Sequence, residues 1–266
     1  MSYSSYPTPP PAGAAPAPAS PEPEQPALSE PQRIIDVFIA PGKTFEDLKR
    51  KPSWWVPWLL GAIVTLAFGM AVTQKVDLVG YTRHQIEQSR FRQQQFEQLT
   101  AEQQEQQLRA GATATKFVFY ALPVFTLVGG LVYGAVLMAV FNFGFAAEIP
   151  FQRALAIVFY ALLPRALYYA LVSVSLWVSS DPNSIDITGN AMPTNLGFFM
   201  DPQGNKFLYS LISNLDLFAL WSVVLLGLGF AVASTKGKLK PATGITTMLL
   251  IYLLVILMGA GFKAMF

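Results

Sequence analysis

Two charged residues stand alone inside long apolar stretches, and their types and depth make them the strongest candidates for chemistry in this sequence. Arg165 is the only Lys, Arg, Asp or Glu in 154–180, and Asp216 is the only one in 207–235. A charge at the middle of a bilayer raises the free energy of insertion by about 2.5–3.5 kcal/mol. Each residue must therefore be paired with an opposite charge, be hydrated, or take part in the function of the protein.

The two charges fall at similar depths. Arg165 follows Arg153 by twelve residues, which places it about 18 Å from one membrane face and about 12 Å from the other. Asp216 follows Lys206 by ten residues, about 15 Å below that second face. This predicts an Arg165–Asp216 ion pair. Further hydrogen bonds are expected from Ser213, Asn214 and either Tyr168 or Tyr169. Three roles stay open for the pair: a structural clamp, a cavity for an anionic headgroup, or a proton relay.

The rest of the composition argues against catalysis. The chain has no Cys and a single histidine, His84, so it lacks the residues for a thiol nucleophile, a multi-His metal site or an HExxH motif. Intramembrane proteolysis requires Ser with His, or paired Asp, at one depth, whereas His84 lies outside the predicted spans and Asp216 is the only Asp within them. No Walker or GxGxxG motif occurs in the sequence. A net charge of +2 is too small to indicate nucleic-acid binding. We therefore expect no enzyme, no cofactor and no metal.

Five apolar stretches must position the two charges. Each is long enough for a helix that crosses about 30 Å of hydrocarbon. With 53% hydrophobic residues and a mean hydropathy of +0.40, the chain is predicted to be an all-α, polytopic membrane protein, a five-transmembrane-helix bundle with an N-terminal amphipathic segment. The predicted spans are 54–73, 117–147, 154–178, 207–233 and 243–262.

The segments outside the spans differ in character. Residues 1–31 are rich in Pro and Ala and are expected to be a disordered tail before a membrane domain at 32–266. Residues 32–51 are amphipathic and are expected to lie on the membrane surface. Residues 75–115 form a polar, Gln-rich helical insertion. Besides the bilayer itself, a protein partner is expected to bind through 32–51 or 75–115. Surface anchors are predicted at Lys49, Arg50, Lys51, Trp54, Trp55 and Trp58.

Span two carries two further features. Gly130 and Gly134 form a GxxxG motif, which allows close approach of another helix, and internal packing is favoured over dimerisation. Asn142 is expected to form a helix–helix hydrogen bond. The sequence names no oligomeric state.

The distribution of cations predicts the orientation. Short connections that are rich in Lys and Arg prefer the cytoplasm. With the N-terminus inside, most of the basic clusters flank the inner face, including Arg153 and the 236–240 turn, and the acidic 179–206 loop falls outside. The C-terminus then lies on the opposite side from the N-terminus. The expected location is the bacterial cytoplasmic membrane.

Four short motifs together carry a family resemblance: IDVFIAPGKTFEDL at 35–48, WWVPW at 54–58, LPR at 163–165 and LDLFALW at 215–221. The first two resemble the N-terminal part of bacterial-type members of the Yip family, and the other two resemble further marks of that group. The Yip family consists of multi-span relatives of the Ypt/Rab GTPase-interacting membrane proteins. The resemblance covers about 33–262. It implies five spans with the N-terminus in the cytoplasm.

Two functions remain open at this point. The first is a non-catalytic membrane-organising protein or trafficking-type adaptor that uses residues 32–51. The second is a small transporter or lipid-handling protein with a polar cavity at Arg165 and Asp216. A hydrated cavity that reaches Arg165 favours the second, and dry packing there favours the first.

Overall fold

The computed structural model describes residues 27–187, 190–201, 204–235 and 239–265, and the regular elements in these ranges are all helical. The predicted tail therefore lies almost wholly outside the described residues. The helices are α1 Glu30–Ile39, α2 Pro41–Arg50, α3 Trp55–Lys75, α4 Leu78–Glu87, α5 Arg90–Glu97, α6 Ala101–Phe145, α7 Phe151–Ala161, α8 Leu163–Val178, α9 Lys206–Ser213, α10 Leu217–Ala233 and α11 Pro241–Met265. Two short 3-10 turns, Pro182–Ser184 and Leu196–Phe199, lie between α8 and α9.

Four elements are long and apolar enough to cross a membrane: α3, α6, the α7–α8 pair and α11. The bundle has a near end, where α1 and α2 lie, and a far end, where Lys75 stacks its ammonium 4.4 Å from the Trp177 ring centroid. The polar insertion and span two are not separate, because α6 is one helix of 45 residues. At 1.5 Å per residue it is about 67 Å long, so its polar first turns project beyond the far end.

Span four is interrupted, which corrects the predicted continuous helix over 207–233. Helices α9 and α10 meet at a 57° bend. Lys206, at the start of α9, lines a far-end cavity together with Asp77 and Lys263. At the other end of the pair, the Thr235 amide donates to the Ala147 carbonyl at the near end (3.0 Å). The bent pair thus crosses the bundle, and within the described residues the chain makes five crossings.

The predicted amphipathic segment at 32–51 buries one face against the other helices. It forms a helical hairpin, α1–α2, that packs against α7 and α10. Val37, Phe45 and Leu48 are fully buried in the near-half core. Because these residues meet protein rather than headgroups, the hairpin is an integral part of the bundle.

Small residues allow the spans to pack closely. The GxxxG motif faces inward, where a Cβ on Gly130 would overlap the ring of Phe159 and one on Gly134 would touch Leu155. A second close approach joins α10 to α11 at Gly227 and Gly244, where an added side chain would overlap backbone atoms of the other helix. Sequence reasoning missed this second contact, because the two glycines lie in different helices and form no local motif.

Candidate functional site

Arg165 and Asp216 each lie beside a break in a span. Arg165 is in the first turn of α8, just after α7 ends at Ala161, and Asp216 is the N-cap of α10. The Asp216 carboxylate accepts hydrogen bonds from the Phe218 amide (3.0 Å) and the Ala219 amide (3.1 Å). It also accepts one from the Thr194 hydroxyl. The carboxylate is thus engaged by donors of its own helix and of the loop before it.

The predicted contact ion pair between Arg165 and Asp216 is absent from the described part of the chain, where Arg165 makes no ion pair and no hydrogen bond. Its guanidinium carbon lies 5.7 Å from the ring centroids of both Tyr168 and Tyr169. The prediction treated Asp216 as a side chain within a continuous helix. At an N-cap, however, backbone amides satisfy a carboxylate and compete with a distant cation.

The two charges nevertheless line one cavity of about 180 Å³ between α8, α9, α10 and α11. The structure places the predicted supporting residues Ser213 and Asn214 in its wall. It places Asn142 elsewhere: the Asn142 side chain donates to the Ile149 carbonyl (3.0 Å) and accepts from the Ile149 amide (2.8 Å). Asn142 therefore closes the turn between α6 and α7 and takes no part in the cavity.

Asn190 is a wall residue that sequence reasoning missed. Its side chain is buried, and its amide nitrogen donates to the Tyr209 hydroxyl (2.9 Å) and to the Ser213 hydroxyl (3.1 Å). Its amide oxygen is buried without a partner. Tyr252 closes the wall by donating to the Asn214 carbonyl. The only signal in the sequence was the density of Asp and Asn in the 179–206 loop, which gave no indication that the loop folds back onto the spans.

A larger cavity of about 790 Å³ opens at the far end and adjoins the inner one. The two cavities share Asp186, Tyr209 and Lys263. Helix α4 forms one wall of the outer cavity, with Tyr81 and the lone His84. Burial, and after it the nearby negative charge of Asp186, raise the pKa of the Tyr81 hydroxyl, although its hydrogen bond from Gln85 lowers it. The outer cavity thus provides a polar approach from the far end to Arg165.

A second polar cluster, also missed by sequence reasoning, fastens the α1–α2 hairpin to the bundle at the near end. Arg33 is 1% exposed, and its side chain contacts Asp47 at 2.7 Å through Nε and at 2.6 Å through Nη2. Glu30 bridges Arg33 (3.0 Å) to the Tyr160 hydroxyl (2.6 Å) on α7. Burial alone would lower the pKa of Arg33, but its hydrogen bond to Asp47 and the two carboxylate charges raise it overall. We call these four residues the near-end clamp.

The predicted surface anchors lie at this same end, and most of them make protein contacts. Lys49 pairs with Glu46 (2.9 Å), and Arg50 lies 3.8 Å from Asp47. Trp54 stacks on Phe159 with ring centroids 5.9 Å apart. The remaining three residues differ in exposure: Lys51 is exposed, Trp55 is 57% exposed, and Trp58 has a buried indole nitrogen without a partner.

Among the residues that the structure describes, no three His, Cys, Asp or Glu side chains are grouped to hold a metal ion. In the comparison with protein families, the family model described as the Yip1 domain matches residues 35–260 of this chain. No curated protein and no solved structure matches the chain significantly.

Proposed function

This chain belongs to the Yip family, and we propose that it is a non-catalytic membrane-organising protein in which the α1–α2 hairpin acts as a shallow wedge in one leaflet. The family match supports an integral membrane protein. The specific role rests on the position of the hairpin relative to the spans.

Three contacts fix how deep the hairpin reaches. At its open end, the Lys49 carbonyl accepts from Arg153 (2.8 Å), at the start of α7. Further in, Phe45 lies against Gly229. Near its tip, Phe38 packs edge-on to Trp221 with centroids 5.6 Å apart. Trp221 precedes Gly229 by eight residues, about 12 Å along α10. The tip therefore points toward the middle of the bundle.

The proposed level of the hydrocarbon boundary rests on the start of α3. Trp54 stacks on Phe159, and an aromatic residue at the start of a span marks the interface. Phe159 is two residues after Ile157 in α7, which is about 3 Å along the helix axis. Ile157 and Phe45 both lie against Gly229. Phe45 is then near the boundary, and the tip lies below it. The tip contact lies about 12 Å beyond the Phe45 contact along α10, slightly deeper than the roughly 5–10 Å that is typical of interfacial helices.

One observation carries the proposal: the hairpin is clamped to the bundle and yet keeps apolar side chains outside it. Ile35 is 58% exposed and Ile39 is 74% exposed. The buried Arg33–Asp47 pair prevents the hairpin from turning these side chains inward. The added apolar volume enters the near leaflet alone, because the far end carries the polar start of α6. Unequal insertion into two leaflets favours curvature.

The proposed orientation places the near end in the cytoplasm of a bacterial cell. The exposed cations at the open end of the hairpin, Arg50 and Lys51, support this placement. The same exposed face, or the polar start of α6, would also receive a protein partner in a trafficking-type adaptor role.

The test compares matched variants in reconstituted vesicles. The double substitution Ile35→Ser and Ile39→Ser removes the exposed apolar face without touching the core. Phe143→Ser is the control, because Phe143 is 92% exposed toward the near end of α6 but lies outside the hairpin. Cryo-electron microscopy should show smaller or tubulated vesicles with wild type and with the control, and unchanged vesicles with the double variant. Equal curvature from all three proteins would rule out the wedge.

A second candidate function, a small transporter or lipid-handling protein, is favoured by a specific observation. The cavity that contains Arg165 shares Asp186, Tyr209 and Lys263 with the far-end cavity, so polar side chains line a path between that end and Arg165. A polar connection between the far end and Arg165 would contribute nothing to a hairpin that acts as a wedge.

A further inference from the structure

We infer that the inner cavity binds an oxyanion of the phosphate type, with Arg165 as its main charge partner. The inference deepens the second candidate function and is independent of the hairpin wedge. The ligand chemistry is a tetrahedral group with several acceptor oxygens. Such a group is carried by free inorganic phosphate and by phospholipid headgroups.

The first step is that the guanidinium of Arg165 has no hydrogen-bond acceptor among the described residues. The rings of Tyr168 and Tyr169 lie 5.7 Å from its guanidinium carbon, where they offer cation–π attraction but accept none of its five N–H groups in a hydrogen bond. A guanidinium at this depth requires acceptors. Its planar fork matches two oxygens of a phosphate or carboxylate better than it matches single waters.

The second step is that the nearest mid-span carboxylate does not occupy this role. Asp216 accepts from two backbone amides and from Thr194. These three bonds hold the carboxylate against the start of α10. Asp216 therefore balances charge across the cavity without taking the hydrogen bonds that Arg165 offers. An added anion can contact the guanidinium directly.

The third step is the set of hydroxyls opposite Arg165. Tyr209 and Ser213 each accept a hydrogen bond from Asn190. Each hydroxyl then keeps its own hydrogen for another acceptor. The Asn190 oxygen is buried without a partner in the described residues and requires a donor. Free monoprotonated phosphate supplies both, since it has oxygens that accept and one O–H that donates, and in phosphatidylglycerol the phosphate oxygens accept while the headgroup glycerol supplies the O–H.

The size of the inner cavity and its access from the far end both agree with a phosphate-type ligand. About 180 Å³ corresponds to roughly six water volumes, which is below the size of typical drug-binding pockets. The outer cavity leads from the far end and is lined by Arg92, Lys206 and Lys263 against Asp77 and Asp186. With three cations and two carboxylates, it favours the approach of an anion.

The experiment uses the full chain in a maltoside detergent, which contains no phosphate. Thermal unfolding is followed while inorganic phosphate is added in one arm and phosphatidylglycerol in another, at constant ionic strength. Binding to the folded state raises the unfolding midpoint in proportion to the logarithm of ligand concentration. Stabilisation by phosphate identifies the free ion as a source, and stabilisation by the lipid alone identifies the headgroup. No stabilisation in either arm would overturn the inference.

Variants localise the effect. Arg165→Gln should abolish the stabilisation, and Arg165→Lys should restore part of it. Tyr209→Phe, which keeps the ring, should weaken apparent affinity by roughly tenfold, and it also serves if the Arg165 variants do not fold. Arg109→Gln is the control, since Arg109 pairs with Glu105 on the exposed part of α6. A midpoint shift that survives both Arg165→Gln and Tyr209→Phe would place binding elsewhere.

A failure of binding can be separated from a failure of the wider function. Phosphate or lipid could bind as expected while vesicles that contain the purified protein show neither solute flux nor lipid movement. That result would support the binding site and rule out the transport role. If nothing binds while flux occurs, the ligand class is wrong.

Discussion

The near-end clamp and the inner cavity each contain an arginine and an aspartate, and they use them in opposite ways. Arg33 and Asp47 touch at 2.6 Å and are almost inaccessible to solvent. Arg165 and Asp216 line one cavity without touching. The difference follows from where each aspartate sits in its helix. Asp47 lies inside α2, where the backbone amides are already used. Asp216 is an N-cap, where unused amides meet its carboxylate first.

This contrast separates a structural charge pair from a binding site. In the clamp, nearly every donor and acceptor has a protein partner, so a ligand would gain nothing. In the cavity, a guanidinium, two hydroxyl hydrogens and one amide oxygen have none among the described residues. Two opposite charges at the same depth can form either a direct ion pair or a cavity in which they do not touch. The position of the acid relative to a helix end decides between them.

The largest expected effect breaks the clamp. Asp47→Asn leaves Arg33 charged and buried with Glu30 as its one remaining carboxylate in the clamp, which should lower the free energy of unfolding by about 3–5 kcal/mol. Thermal unfolding, with limited proteolysis of the hairpin, measures the loss. Glu46→Gln is the control, because the Glu46 side chain is 57% exposed and its removal should change stability by less than about 0.5 kcal/mol. Equal behaviour of the two variants would show that the clamp is not structural.

The same type of substitution should be mild at the other aspartate. Asn caps a helix about as well as Asp, so Asp216→Asn should change stability by less than about 0.5 kcal/mol, while Asp216→Ala should lower it by about 1–2 kcal/mol. Both are compared with wild type by thermal unfolding in detergent. A loss for Asp216→Asn as large as that for Asp47→Asn would indicate that Asp216 does pair with a cation.

Removing the cavity arginine should also have a small effect on stability without added anions. Arg165→Gln loses two cation–π contacts but also removes a desolvated charge, so its stability should stay within about 1 kcal/mol of wild type. Arg33→Gln leaves Asp47 buried without its main partner, and it should lose about 3–5 kcal/mol. Parallel unfolding curves of the two variants test the contrast. A reversed order would contradict it.

The smallest effect concerns pH at the outer cavity. Folding raises the pKa of Tyr81, so the neutral phenol is favoured in the folded state. The resulting stability is fully present below the unfolded pKa of about 10 and is lost as pH rises through the folded pKa. Tyr81→Phe should therefore lose less stability than wild type above about pH 10. Identical pH profiles would show that the phenol is fully solvated.

The sequence predicted the class of fold well because apolar length alone sets the number of crossings. It also singled out Arg165, Asp216, Ser213 and Asn214, since isolated polar groups in apolar runs are conspicuous. It could not predict that Asp216 caps a helix, because no Gly or Pro marks the break at 214–216. The predicted contact between Arg165 and Asp216 was therefore wrong, although the two residues do line the same cavity.

The clamp was invisible in the sequence for the opposite reason. Arg33 and Asp47 look like ordinary surface charges on amphipathic helices, and only the folding of α1 onto α2 brings them together. Asn190 and Thr194 were missed because they lie in a long polar loop whose return to the spans has no periodic signal. Contacts between elements that are distant in sequence are set by packing, which composition does not encode.

Solvent access to the two regions can be compared directly, because the chain contains no cysteine. Single substitutions Ser213→Cys in the cavity wall and Thr44→Cys beside the clamp are treated with a membrane-impermeant, anionic thiol reagent. Thr44 is 0% exposed and donates to the Arg33 carbonyl. Rapid labelling at position 213 with protection at position 44 is the predicted result. Equal protection at both positions in the folded protein would contradict the claim that one arginine–aspartate region is closed and the other is open.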